Sequence, residues 1–266
     1  MVKSVPLVAK AAAVVLLAFL ALYMLVPIIV VAGASLSESR FLAFPPTGLS
    51  LEWYVVALTS DVYLGPLQTS LLIAVVAAVI AATLGTAAAL AVTRFPLPFS
   101  GAIQSFLLSP LIVPTIIMGI GTLTLVSVIG QGPDLWVLVV VHAVLGIPYV
   151  MRTVTGVMAR SDRFTEEAAR TLGAGTWSRY RFVVLPMARP GIVAGAFFAF
   201  NISFDDAVIA LFLRTPQLET LPIAIYGRLE FSTDPSVAAV STLMVLITVV
   251  TMIALEKAIG LGKAFV

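Results

Sequence analysis

The chain has 266 residues, of which 61% are hydrophobic and 11% charged, with a net charge of +2. Soluble domains carry roughly 25% charged and 45–50% apolar residues, so this composition excludes a water-soluble globule and points to a polytopic membrane protein. The small net charge gives no reason to expect a nucleic-acid partner, and the absence of cysteine excludes disulfides and thiolate metal sites.

A membrane span needs about 20 mostly apolar residues. Six stretches qualify, in chain order Ala11–Ala32, Leu67–Val92, Ala102–Val128, Leu135–Val150 running on towards Met158, Met187–Leu213 and Val237–Leu255. Met1–Lys10 is short and basic, as at the start of a signal peptide. The apolar run behind it is too long for one, and no clear small-residue cleavage pattern follows at Ala32–Ser35, so an uncleaved first helix is expected. Pro110, Pro114, Gly119 and Gly121 punctuate the third span, and Pro148 lies late in the fourth. Proline removes a backbone donor and kinks a helix, which a membrane tolerates only where neighbouring helices or a watery path meet the freed carbonyls. These residues either shape helix packing or line a path that changes shape.

Basic residues set the expected orientation. One set of connections holds Lys3, Lys10, Arg94, Arg152, Arg160, Arg163, Arg170, Arg179, Arg181, Arg189, Lys257 and Lys263, and the opposite set holds Arg40, Arg214 and Arg228. Both termini are therefore expected in the cytoplasm, with an inner-membrane location. The opposite side carries Glu38, Glu52, Asp61, Asp134, Glu219, Glu230 and Asp234. Trp53, Trp136 and Trp177 fall near the water interfaces and read as anchors.

Between the fourth and fifth spans lies FTEEAARTLGAGTWSRYRFVVLPMARP, residues 164–190, the longest polar interruption of the chain. Thr165 is placed to cap a short helix with Glu166 and Glu167 in its first turn, where acids favour the helix dipole. Ala168, Ala169 and Arg170 continue that helix, and Gly173 suits a left-handed stop. Thr176 can cap a second helix over Trp177–Val184, and Pro186 then opens the next span. A two-turn helix is marginal alone in water, so it must pack on something. Ala168 and Ala169 offer a flat surface that a partner backbone can approach, with Glu166, Glu167 and Arg170 at its rim. The other reading is an amphipathic loop lying on lipid headgroups, which the two leading acids oppose.

Glu167-Ala168-Ala169, three residues, Gly173, nine residues, Val183, one residue and Leu185-Pro186 resemble the EAA loop of ABC importer permeases, with valine where that pattern has isoleucine. Gln68–Phe95, Leu108–Gly121, His142–Arg152 and Ser203–Leu213 are similar to segments of the inner-membrane permeases for spermidine and putrescine. Related permeases carry ferric iron, thiamine, phosphonates or opine-like compounds. The resemblance implies an all-α polytopic membrane protein with the six transmembrane helices of the type I ABC importer permease fold. It implies one permease domain over residues 1–266, with an N-terminal helix at 11–32, a core at 67–255 and a coupling loop at about 159–186. It also implies that Glu167, Ala168, Ala169 and Gly173 couple to two separate ATP-binding subunits, which hold ATP and Mg, since this chain carries no cofactor; Glu166 and Arg170, at the rim of the same helix, are expected to join them. A second and different permease subunit and an extracytoplasmic solute-binding protein would complete the importer.

Asp205 and Asp206 are the acids inside a predicted span, where ionisable residues are costly and functional by default. With Ser203 they are candidates for the translocation path, and they suit a cationic solute. Either one lines the path while the other pairs with a neighbouring helix, or the pair caps a helix break near Asn201–Ser203. His142, the sole histidine, cannot build a multi-histidine metal site and is expected to hydrogen-bond between helices. No G-x4-G-K-[ST] phosphate loop is present, so ATP hydrolysis must belong to another chain. Two rival readings remain. An ion-gradient-driven secondary transporter would use Asp205 or Asp206 as its cation site, although no internal repeat supports one. A membrane-embedded enzyme would need a nucleophile and base that the sequence does not offer.

Overall fold

The computed structural model describes residues 7–231 and 234–259; Lys3 and Lys263 of the basic set lie outside them. Among the described residues the regular structure is helical, apart from an isolated bridge between Thr215 and Leu218. In chain order the helices are α1 (Leu7–Ala34), α2 (Glu52–Thr59), α3 (Asp61–Arg94), α4 (Ser100–Leu108), α5 (Thr115–Val128), α6 (Leu135–Arg160), α7 (Arg163–Thr171), α8 (Thr176–Arg179), α9 (Leu185–Phe204), α10 (Val208–Leu213), α11 (Leu221–Phe231) and α12 (Ser236–Ile259). Among the described residues five stretches are long and apolar enough to cross a membrane, and the bent pair Ser100–Leu111 and Thr115–Val128 makes a sixth when taken as one span.

Two compact units make up the chain, Met1–Leu64 with Ile225–Ile247 and Gly65–Ala224 with Thr248–Val266. In the first unit α1 exposes apolar side chains all round, as a helix bathed in lipid does. Polar contacts tie its connections together. The Ser35 and Tyr54 hydroxyls lie 2.6 Å apart, Trp53 Nε1 donates to the Ser37 carbonyl at 2.9 Å, and the Tyr63 and Ser236 hydroxyls share a bond of 2.7 Å.

The second unit holds both candidate sites. Ala78, Ala81 and Ala89 of α3 pack with Val150, Met151 and Val154 of α6 and with Ala188 and Ala199 of α9. In lipid, where burial of apolar surface gives little advantage between helices, such small residues let backbones approach closely. Thr153 on α6 then donates to the Gly191 carbonyl on α9 at 2.8 Å. Further along, Ile73, Leu138, Val139, Leu145, Ile209 and Leu213 join α3, α6 and α10.

Two of the expected spans are interrupted. Ala102–Val128 is not one helix: α4 ends in a 3-10 turn at Ser109–Leu111, and α5 sets off at 94° to it. Pro114 has no N–H to continue the ladder, and its backbone turns extended at ψ 132° before Thr115. Met187–Leu213 is likewise two pieces, because α9 stops at Phe204 and α10 begins at Val208. Upstream, α9 is preceded by a π-helical turn, Tyr180–Val184, where regular winding over Trp177–Val184 was expected.

Candidate functional site

The polar stretch begins earlier than its sequence suggests. Asp162, not Thr165, caps α7, its carboxylate accepting from Phe164 N at 2.8 Å. Aspartate offers a carboxylate oxygen to the free N–H groups of the first turn, and the start shifts by three residues. At the far end Gly173 adopts φ +85°, Gly173 N donates to the Arg170 carbonyl and Ala174 N to the Ala169 carbonyl, both at 3.0 Å. That pair of bonds is a Schellman closure, which needs a left-handed residue at this place.

The two faces of α7 differ in what they touch. Phe164, Ala168 and Leu172, four residues apart, share one face and are exposed, Leu172 to 88%. Glu167 and Arg170 are exposed as well, and Ala169 is partly so. Glu166 is turned inward. Its Oε1 lies 2.7 Å from Nη2 of Arg94, with side-chain exposures of 7% for the arginine and 14% for the glutamate. Arg94 Nη2 also donates to Ser161 Oγ at 2.9 Å, and Arg163 Nη2 donates to the Thr93 carbonyl at 3.0 Å. Thus Glu166, grouped with its neighbours at the rim from sequence, is held within the chain.

The second cluster lies where α9 breaks. His142 of α6 and Ser203 of α9 are buried, and the Ser203 hydroxyl lies 2.8 Å from His142 Nδ1. His142 Nε2 is 3.4 Å from Asp206 Oδ2 without hydrogen-bond geometry, a contact that is attractive when the ring is protonated. Asp206 Oδ2 also accepts from Ala210 N at 3.0 Å, so Asp206 serves the first turn of α10. Asp205 is exposed at the break. The hydrogen bond between helices expected of His142 is made with Ser203. Both are buried between helices, and the bond joins α6 to α9. Ser203→Ala would leave a buried ring nitrogen unpartnered, at a cost of about 1–3 kcal/mol, and should lower the thermal unfolding midpoint in detergent. An unchanged midpoint would mean that the bond contributes nothing. Among the described residues no group of three His, Asp or Glu could hold a metal.

Residues 74–258 match the model of the binding-protein-dependent transport system inner membrane component. The chain belongs to that family. It is an ABC importer permease, 31% identical over 87% of its length to the spermidine/putrescine transport system permease protein PotC of Escherichia coli (strain K12), of which 88% is covered. The putrescine transport system permease protein PotI of the same organism is 33% identical over 74% of this chain and 73% of its own. A crystal structure of a bacterial alginate ABC transporter, in complex with an alginate pentasaccharide-bound periplasmic protein, contains a chain with TM-score 0.70 and 12% identity, covering 94% of this permease and 93% of that chain. At that identity the likeness speaks for the fold.

Within this permease, sequence reasoning used Arg94 only for its sign. Its pairing with Glu166 spans 72 residues and had no local signal. Ser161 was also passed over, although a serine directly after a basic helix end is an ordinary place for a terminal hydrogen bond.

Proposed function

We propose that this permease forms the translocation path of an ATP-driven, binding-protein-dependent importer of small cationic solutes, foremost the polyamines spermidine and putrescine. The observation that carries the coupling half is the exposed apolar face of α7, with the EAA pattern lying along it. A two-turn amphipathic helix whose apolar face no described part of its own unit covers is suited to a groove in a partner. The partner is an ABC ATP-binding subunit, present in two copies, which supplies the ATP and Mg sites. Glu167, Ala168, Ala169 and Arg170 contact it, Gly173 fixes the end of the helix, and Glu166 positions it. Both termini and this loop lie on the cytoplasmic side of the inner membrane, in keeping with the basic bias of their connections.

The substrate half is supported by the relatives' names and by acids at a helix break. Asp205 is the accessible carboxylate and lines the path, with Ser203 and Asp206 held behind it by His142 and the first turn of α10, and a carboxylate in a membrane path favours a cation. A second permease subunit, different from this one, forms the other wall, and an extracytoplasmic binding protein delivers the solute. ATP binding draws the coupling helices together and tips the path between two states that both partners bias.

Purification in mild detergent from the native membrane, with mass spectrometry of what accompanies the chain, tests the coupling half. An ATPase subunit should copurify with the wild type and be lost with Glu167→Lys, which reverses an exposed charge beside the docking face. Uptake of labelled spermidine and putrescine by the reconstituted importer tests the substrate. If the chain instead moves solute alone under an ion gradient, Asp205 and Asp206 become a coupling-ion site and the ATPase reading falls.

A further inference from the structure

The last turn of α3 is gripped from both sides of the coupling loop. Arg94 bonds Glu166 of α7, and its Nη2 reaches Ser161, whose hydroxyl donates in turn to the Met158 carbonyl of α6 at 2.8 Å. The preceding residue, Thr93, accepts through its carbonyl from Arg163, three residues before Glu166 on the same face of α7. Beyond α7, the Phe95 ring stacks on Tyr180, the first residue of the π-helical turn, with centroids 6.4 Å apart and planes 9° from parallel. Thr93 and Arg94 of α3, with Phe95 directly after it, thus hold four residues on the stretch from α6 to α9.

Covalent continuity already joins α7 to α6 and α9. It offers α3 nothing, since α3 is separated from the loop by α4, α5 and α6. The ion pair is nonetheless largely buried and charge-assisted, the kind of bond that holds geometry best. Breaking one partner would leave the other charge poorly solvated, which opposes slippage between α3 and α7. Further along, α3 packs by Ala78, Ala81 and Ala89 against α6 and α9.

We infer that Arg94 is a positioning residue that yokes α3 to the coupling helix, so that α3, α6 and α9 move as one body when α7 is displaced. This inference rests on the docking reading of α7. Without the arginine, α7 would still meet its partner, but α3 would no longer follow.

The test is hydrogen exchange followed by mass spectrometry on the importer purified with its ATPase, with and without ATP and vanadate. In the wild type, residues 163–171 and the last turns of α3 should change protection together. In Arg94→Ala and in Glu166→Gln, the α7 response should remain and the α3 response be lost. Arg94→Lys, which keeps the charge, should restore it. The double variant Arg94→Ala/Glu166→Gln should lose no more than either single one, as expected for two ends of one bond. An α3 response in both single variants equal to that of the wild type, or its absence from the wild type while α7 responds, overturns the yoke and leaves the docking reading intact. If no ATPase accompanies the wild type, the docking reading falls and takes the yoke with it.

Discussion

Gly195→Leu is expected to reduce folded permease recovered from the membrane by about tenfold or more, because overpacking a tight core costs typically about 1–3 kcal/mol, and here the obstacle is backbone. A Cβ at residue 195 would sit 2.5 Å from Val150 Cα and 2.5 Å from Thr153 Oγ1. A side-chain end can rotate away, but Val150 Cα moves only if α6 moves. Displacing α6 would also strain the Thr153 bond to the Gly191 carbonyl, which lies one turn from the new side chain. Gly156→Ala is the control. It lies on the same α6, a Cβ there meets nothing within 4 Å, and alanine favours a helix over glycine by up to about 1 kcal/mol. Detergent extraction with fluorescence-detected size exclusion would compare the two. Equal recovery of Gly195→Leu and wild type would mean that α6 and α9 are not packed so closely.

Gly173→Pro should leave the permease in the membrane and reduce transport by about 100-fold, since the helix end that frames the coupling face needs a left-handed residue there. Proline holds φ near −65°, whereas Gly173 sits at +85°. It also has no N–H to give the Arg170 carbonyl, so one of the two closing bonds is lost outright. The end of α7 would unwind, and Ala168, Ala169 and Leu172 would lose their common frame. A Cβ at this place meets nothing within 4 Å, so the effect of Gly173→Ala isolates the backbone angle from bulk, and it should be intermediate. Uptake per unit of permease, measured beside membrane abundance, separates uncoupling from loss of protein. Normal uptake by Gly173→Pro would refute the role of this helix end in coupling.

Much of this architecture is legible in the sequence because lipid imposes a coarse rule. Long apolar runs must be helices that satisfy their own backbone, and four of the six expected spans lie inside the single helices α1, α3, α6 and α12. Gly173 was equally readable, since a glycine behind a short amphipathic run has few other uses. Breaks inside spans were harder. Pro110 and Pro114 announced a disturbance, but Pro148 lies inside an unbroken α6 in the same structure, so proline alone does not tell a kink from a bend of 94°. What remained hidden was pairing across long stretches of chain. Glu166 and Glu167 are neighbours with the same chemistry, and only the position of Arg94 distinguishes the one held inside from the one left outside. The meeting of His142 with Ser203 is of the same kind, as 61 residues separate them.

The bend between α4 and α5 carries a consequence for the lipid itself. Ser100–Leu111 and Thr115–Val128 extend about 18 Å and about 21 Å at 1.5 Å per residue, so neither alone matches a hydrocarbon layer about 30 Å thick. At 94° the pair reaches about 27 Å from end to end, against about 39 Å if straight. A straight helix meets a change of bilayer thickness by tilting as a whole, whereas the span of this segment depends on its bend as well as its tilt. Its reach is therefore set by an angle rather than by its number of residues alone.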